Sequence, residues 1–410
     1  YNQNKLNLND INFKFNNIKF NSEEIKLKKI KDNFEIKGKF QNNFFELDKD
    51  HIELLIQPLF PKFKIEKVRL NSKSTFNFNI NKKYKIDNFR ILSDINLEEL
   101  IIENYLDLKT FFPEINKKIS LLNNKISINY SKKNLNIIGK GKISLQNKLD
   151  DINYSIQKKN NEYKFETLLE ITENPFEIKI LDYEKDLNQK LTFNIEGHVG
   201  ANKKTSLDLI SIEETSNKFE VKKLVFNEKF QVIDLDKVKI FYLDKKDNQN
   251  KLEILKKKKN YLLSGKSFNA DKIINNLIES NEDKKKFINK DFSLQVKIDK
   301  LFLDKEYSLK NFEGRLSFKN HEIINGYLEG FFSDNQKLKF TIKTYSNEKI
   351  TTLFLDKAKP IVRRYSFIKG FDEGVLDFYS HKKNKISNST LKIYDFKLKE
   401  LPALTKLLTL

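Results

Sequence analysis

Apolar and polar residues alternate along most of this chain with a period of two. INFKFNNIKF (11–20) sets Ile11, Phe13 and Phe15 against polar partners, slips at Asn16 and Asn17, and resumes with Ile18 and Phe20. FEIKGKF (34–40), HIELLI (51–56), FKIEKVRL (63–70) and TFNFNI (75–80) continue the pattern around a break at Pro58 and Pro61. Such alternation gives each strand one apolar and one polar face. The intervals are rich in Asn, Asp, Lys and Ser, which suit turns. From KISINY (125–130) to KLEIL (251–255), strand-like runs recur, among them LNIIGKGKISL (135–145), YKFETLLEI (163–171), FEIKIL (176–181) and KLTFNIEGHV (190–199). FSLQVKID (292–299), GRLSFK (314–319) and LKFTIKT (338–344) extend the series.

Four stretches depart from this rhythm. Leu108, Phe111, Phe112, Ile115, Ile119 and Leu122 fall at helical spacing and predict a helix over roughly 107–122. YLLSGKSFNADKIINNLIES (261–280) predicts a strand and then a helix, with Asn269 as N-cap and Ile273, Ile274, Leu277 and Ile278 as its apolar stripe. Ala358, Val362, Tyr365 and Phe367 predict a helix near 357–368. LKIYDFKLKELPALTKLLTL (391–410) reads as a strand that passes through Pro402 into a helix bearing Leu404, Leu407 and Leu408. The expected domains are an N-terminal β segment (1–90), a β segment with the helix near 107–122 (91–260) and a C-terminal region (261–410).

A train of strands with few helices argues a mainly β, antiparallel fold. Two architectures satisfy it. One is a closed sandwich; the other is a long, strongly curved antiparallel sheet whose apolar face lines an open, gutter-like groove. About 24 strands stacked at ~4.8 Å would extend on the order of 110 Å.

Composition narrows the chemistry. Cysteine is absent, which removes disulfides and thiolate sites. Methionine is absent too, so the chain is expected to be a segment of a longer protein, with any membrane anchor outside it. The four histidines (His51, His198, His321, His381) lie far apart and form no metal-binding motif. GKGK (139–142) lacks the Walker pattern and reads as a bulge or turn in a strand. No catalytic residue, metal site or cofactor is expected, and the chain does not read as an enzyme. Net charge is +20, yet lysines are dispersed among 57 acidic residues, so no nucleic-acid partner is expected. Arg occurs only as Arg69, Arg90, Arg315, Arg363 and Arg364, although base and phosphate readout favours it.

The C-terminal stretch carries a resemblance. Thr390, Leu391, Ile393, Asp395, Phe396, Leu398, Pro402, Leu404, Leu407 and Leu408, with Gly374 in the preceding YSFIKGFDEGVLDFYS (365–380), resemble the C-terminal signature of the AsmA-like family, YhdP-type. Glu373 stands where the family often has a second glycine, and Thr390 where it often has Gly. The resemblance covers about the last 150 residues.

The resemblance implies a periplasmic, bridge-like lipid transfer protein of a Gram-negative bacterium, anchored in the inner membrane. Such a protein carries phospholipid acyl chains along an apolar β-groove toward the outer membrane and supports outer-membrane lipid homeostasis. The alternative from a related group is a TamB-like scaffold for outer-membrane β-rich proteins, acting by strand addition. Groove-lining candidates alternate within the clearest strands: Phe76, Phe78, Ile80, Ile126, Ile128, Leu191, Phe193, Ile195, Leu294, Val296, Ile298, Leu316, Phe318, Phe340 and Ile342. Each is equally consistent with an ordinary core. Leu404, Leu407 and Leu408 pack on the sheet end or contact the outer membrane or a partner there.

Overall fold

The structure, a computed structural model, describes residues 4–15, 18–56, 64–104, 108–132, 134–160, 162–200, 204–228, 231–278, 291–319, 322–365, 370–384 and 386–399. Among the described residues the fold is mainly β, and 23 strands take part in a large, mostly antiparallel sheet that is not closed into a barrel. The chain divides into two compact units: residues 1–177 with 185–215, and residues 178–184 with 216–410. The sequence-based cuts at 90 and 260 do not coincide with this division. Residue 90 lies inside a strand, and residue 260 begins one that pairs with its predecessor.

The N-terminal unit is a meander. Its strands are β1 (Lys5–Phe15), β2 (Ile18–Ile30), β3 (Asn33–Glu46), β4 (Ile65–Ile80), β5 (Ile86–Glu103), β6 (Lys118–Ser131), β7 (Asn134–Ser144), β8 (Asp150–Lys159) and β9 (Glu162–Ile171). Two-residue strands β10 (Glu177–Ile178) and β11 (Tyr183–Glu184) follow in sequence, then β12 (Leu191–Val199) and β13 (Thr205–Glu214). Each of β1 to β9 pairs antiparallel with the next, β9 pairs with β12, and β12 with β13. Short polar turns make such local pairing the natural outcome of the alternating pattern.

Three local expectations change. Residues 108–117 are turn and irregular chain, and Lys118 begins β6, so the helix over 107–122 is absent from the described residues. Ile119 faces Ile102 across the ladder, so its spacing from Leu108 and Phe112 is a coincidence of two separate elements. HIELLI is helical rather than extended: Lys49–His51 is a helical turn that continues through Ile52–Ile56. Asp48 starts it by accepting the His51 N–H at 2.9 Å, an N-cap that outweighs the short alternation. Within FEIKIL, only Glu177–Ile178 is strand, and Lys179–Leu181 forms a 3₁₀ turn.

In the C-terminal unit the strands are β14 (Asn217–Phe226), β15 (Val232–Asp234), β16 (Lys237–Leu243), β17 (Gln249–Lys257), β18 (Asn260–Asn269), β19 (Phe292–Phe302), β20 (Ser308–Lys319), β21 (Glu322–Phe331), β22 (Lys337–Tyr345), β23 (Glu348–Leu355), β24 (Phe371–Lys383) and β25 (Ile386–Leu398). β14 pairs with both β15 and β16, and from β16 onward each strand pairs with the next. All these pairs are antiparallel except β18 with β19. A parallel pair needs a crossover, and the connection there contains the helix Asp271–Ile278. This strand-then-helix unit matches the sequence expectation, with Asn269 Oδ1 accepting from the Asp271 N–H at 3.0 Å. The second helix is Lys359–Tyr365. The terminal helix and its Leu404, Leu407 and Leu408 lie outside the described residues, as do His321 and Phe367.

Candidate functional site: an uncovered apolar face

Direct cross-strand partners share a face, so the ladder registers define which side chains form one surface. In the N-terminal unit, Ser93, Ile128, Ile137, Ile156 and Phe165 stand in register from β5 to β9. A second row runs Ile95, Ile126, Gly139, Tyr154, Thr167, Ile195 and Ile210. A third runs Ile152, Leu169, Phe193 and Ile212. Toward β1 the surface becomes aromatic. Ring neighbours follow one another as Phe13, Phe20, Phe40, Phe76, Phe78, Phe89 and Tyr130, each step between 5.3 and 6.1 Å. One apolar face therefore passes from β1 to β13.

Burial along this face is graded. At one end of the strands Leu191 and Ile171 are fully buried, and Leu169, Ile152, Ile212 and Leu97 nearly so. Connecting segments cover that end. Phe112 and Phe176 are buried, meet at 5.5 Å, and Phe176 lies 6.3 Å from Phe193. Near β3 and β4, Leu47 and Ile52 pack with Ile65, Val68 and Leu97. Farther along the strands no second layer follows among the described residues. Phe76, Phe78, Ile80, Ile126, Ile128, Phe193 and Ile195 are only half-buried, and Phe13 is 38% exposed. A sandwich core would bury such residues almost completely.

The opposite face is polar and ion-paired, with Lys67 to Glu99 at 2.8 Å, Lys118 to Glu66 at 2.6 Å and Lys142 to Asp151 at 2.8 Å. Asn194 belongs to it and bonds Glu196 at 3.0 Å.

The C-terminal unit repeats this arrangement within itself. Phe292 stacks on Phe318 at 4.6 Å, and Leu294 pairs with Leu316. Leu316 faces Gly326, which faces Ile342. Phe340, Leu353, Phe378 and Leu391 form another row. Leu294, Leu316, Phe318 and Phe340 are half-buried, and Leu391 is exposed. Ile342 is buried. The other end of the face is sealed by the two helices, in a cluster that includes Val296, Ile298, Leu301, Leu309, Phe332, Leu355, Val362 and Leu376. Val296 and Ile298 are thus core residues under a cover, and Leu191 has the same status in the other unit.

The seal is held by a polar clamp. Arg364 donates to the Asp271 carboxylate at 2.7 Å, to Asn275 and to the Leu303 carbonyl, while Lys246 reaches Asp271 at 2.5 Å. Burial pushes the Asp271 carboxyl up, but hydrogen bonds from Lys246 and Arg364 outweigh it and hold the carboxyl below the ordinary range. Asn269 donates to the buried Asp244 at 2.5 Å; with the Asn248 and Lys246 N–H groups it overcomes the desolvation of that carboxyl.

Among the described residues no conventional reactive constellation accompanies the face. His51 bonds Asp48, His198 bonds Asp208 and His381 bonds Glu348, each a separate pair. Among the described residues no cluster of three or more His, Asp or Glu could hold a metal, and no helix is long and apolar enough to cross a membrane. On the apolar face of the N-terminal unit burial pushes the Tyr154 hydroxyl up to about 12, and in the C-terminal unit burial pushes that of Tyr242 up as well. The face offers dispersion contacts and exclusion of water along many strands rather than one pocket. No protein-family model, curated protein or solved structure matches the chain.

Proposed function

We propose that the protein is a bridge-like lipid carrier that shields phospholipid acyl chains along its apolar β-face, as part of lipid movement between the inner and outer membranes of a Gram-negative envelope. The observation that carries the reading is the half-buried apolar surface that continues from strand to strand in each unit, beyond its sealed end, without a covering layer among the described residues. Exposing an acyl chain of about 16 carbons to water costs about 13 kcal/mol at ~0.8 kcal/mol per CH₂. A carrier lowers that barrier only if apolar cover is continuous, and rows such as Ile128, Ile137, Ile156 and Phe165 supply it across adjacent strands. The C-terminal resemblance to YhdP-type AsmA-like proteins supports the same assignment, including periplasmic location and an inner-membrane anchor outside the sequence.

Purified protein incubated with vesicles containing a fluorescent phospholipid tests it. Lipid is expected to co-migrate with the protein, and Ile128→Asp together with Phe78→Asp is expected to abolish co-migration while the protein stays folded. Retention of lipid by the folded double variant would overturn the reading.

A second reading, a scaffold for β-rich outer-membrane clients, is favoured by β25. This strand pairs only with β24 among the described residues, and Ile386, Tyr394, Phe396 and Leu398 are exposed along it. An open strand edge of this kind can add a further strand. Cross-linking of a β-rich client to β25, with no lipid on the apolar face, would favour it.

A further inference from the structure

We propose that the polar face of the C-terminal unit holds a binding site for a phosphate-bearing anion, in a depression of about 730 Å³ over β14 to β19. The site is independent of the lipid reading, because the registers place its charged side chains on the polar face, and Leu252 and Ile240, which also border the depression, alternate with them along the same strands.

Local backbone irregularity makes the depression. β17 and β18 shift register between Lys251 and Leu252, so that Lys266 is an extra residue without a direct partner on β17. Such a bulge re-aims its side chain and bends the strand. Gly265 beside it permits the close approach: a Cβ there would fall 2.4 Å from the Lys251 carbonyl oxygen. The lining of the resulting hollow contains five lysines and three carboxylates.

The charge in this hollow is unevenly satisfied. Glu253 is held by Lys237 at 2.8 Å and by Lys239 at 3.8 Å. Lys251, Lys266 and Lys297 form no ion pair with any described residue, whereas Lys337, Lys349, Lys357 and Lys359 in the same unit do. Even with Asp299 at the rim, the lining remains positive. The three unpaired lysines stand on three consecutive strands, Lys251 level with Ser267 and Lys297 level with Ser264, so their backbone anchor points spread over about 14 Å at the usual strand spacing and rise, a distance that the flexible lysine stems shorten toward a common ligand. That span suits a ligand with several anionic oxygens, such as a diphosphate or a phospholipid headgroup. Lysine binds phosphate as a point charge without demanding fixed geometry. Ser264 adds a hydroxyl donor, and the half-buried Phe241 ring forms an apolar floor.

Titration of the full chain with inorganic pyrophosphate at physiological ionic strength tests the site. The triple variant Lys251→Gln, Lys266→Gln, Lys297→Gln removes only exposed side chains and is expected to keep its unfolding temperature. A control triple, Lys305→Gln, Lys343→Gln, Lys382→Gln, removes the same charge from exposed positions elsewhere in the unit. Affinity is expected to fall about tenfold or more in the first variant and less than about twofold in the control. Equal losses in the two variants, or no saturable binding to the unsubstituted protein at about 1 mM pyrophosphate, would overturn the proposal. Vesicles of phosphatidylglycerol that displace pyrophosphate, where phosphatidylcholine vesicles do not, would assign the site to an anionic headgroup. Failure of both to displace it would assign the site to a soluble phosphate compound.

Discussion

The ring of Tyr154 on β8 lies directly over Gly139 on β7, so that a Cβ built on Gly139 would fall 2.1 Å from the tyrosine Cζ. The glycine keeps an aromatic ring flat against the apolar face, beside Ile126 and opposite Thr167. Gly139→Val is therefore expected to displace the ring and destabilise the N-terminal unit by about 1–3 kcal/mol, the usual cost of overpacking. Thermal unfolding checks it: for a unit of this size about 2–4 °C is lost per kcal/mol.

Covered and uncovered positions on one face should respond oppositely to truncation. Leu355 is fully buried in the sealed end of the C-terminal unit, while Leu316 is half-buried in its open part. Leu355→Ala is expected to cost about 2–5 kcal/mol, and Leu316→Ala clearly less. Lipid binding should show the reverse order, with Leu316→Asp weakening it and Leu355→Ala changing it little at temperatures where the variant is folded. Chemical denaturation of Leu355→Ala and Leu316→Ala, and lipid co-migration of Leu355→Ala and Leu316→Asp, check the two orders.

The seal itself should be acid-sensitive. Despite desolvation, the Asp271 and Asp244 carboxyls are held below the ordinary Asp value of 3.8 by their hydrogen bonds. A carboxylate depressed in the folded state contributes stability that is fully present above its unfolded pKa and lost as pH falls through its folded pKa. Hydrogen-exchange protection of Asp271–Ile278 should therefore be full at pH 6 and decline below about pH 4, ahead of the β20–β23 ladder. In Asp271→Asn the loss over that range should shrink to the part that Asp244 contributes.

The clamp gives a further outcome. Arg364 bridges both covering elements through Asp271, Asn275 and the Leu303 carbonyl. Its removal leaves Asp271 with Lys246 and a long bond from the Asn275 amide at 3.5 Å. Arg364→Met should destabilise the covering helix by about 1–3 kcal/mol, because a partly buried carboxylate loses one of its two cationic partners and Asn275 and the Leu303 carbonyl lose their donor. Faster exchange across residues 271–278 with the β20–β23 ladder unchanged is the expected signature.

Much of this architecture was legible in the alternation. Phe76, Phe78 and Ile80 fall on one face because period two requires it, and Asn269 caps a helix as its position suggests. What was not legible depends on long-range meetings. Leu108, Phe111 and Phe112 mimic a helix by spacing, yet Phe111 and Phe112 are loop side chains gathered by Phe176, some 64 residues away. The burial of Val296 and Ile298 under helices cannot be separated by pattern from the half-burial of Leu294 in the same strand. The parallel pairing of β18 with β19 follows from the crossover path, which period two does not encode. The lysine-lined depression needs the bulge at Lys251, visible only once β17 and β18 are in register.

The most direct measurement is photo-crosslinking in cells from a benzophenone side chain placed at Ile128 and, separately, at Asn129. Ile128 stands on the apolar face between Ser93 and Ile137, and Asn129 is exposed on the opposite face between Leu92 and Asn136. Phospholipid attached at position 128 and absent at position 129 is the expected result. Equal labelling at both positions, or none at either in a folded and correctly located protein, would contradict the account.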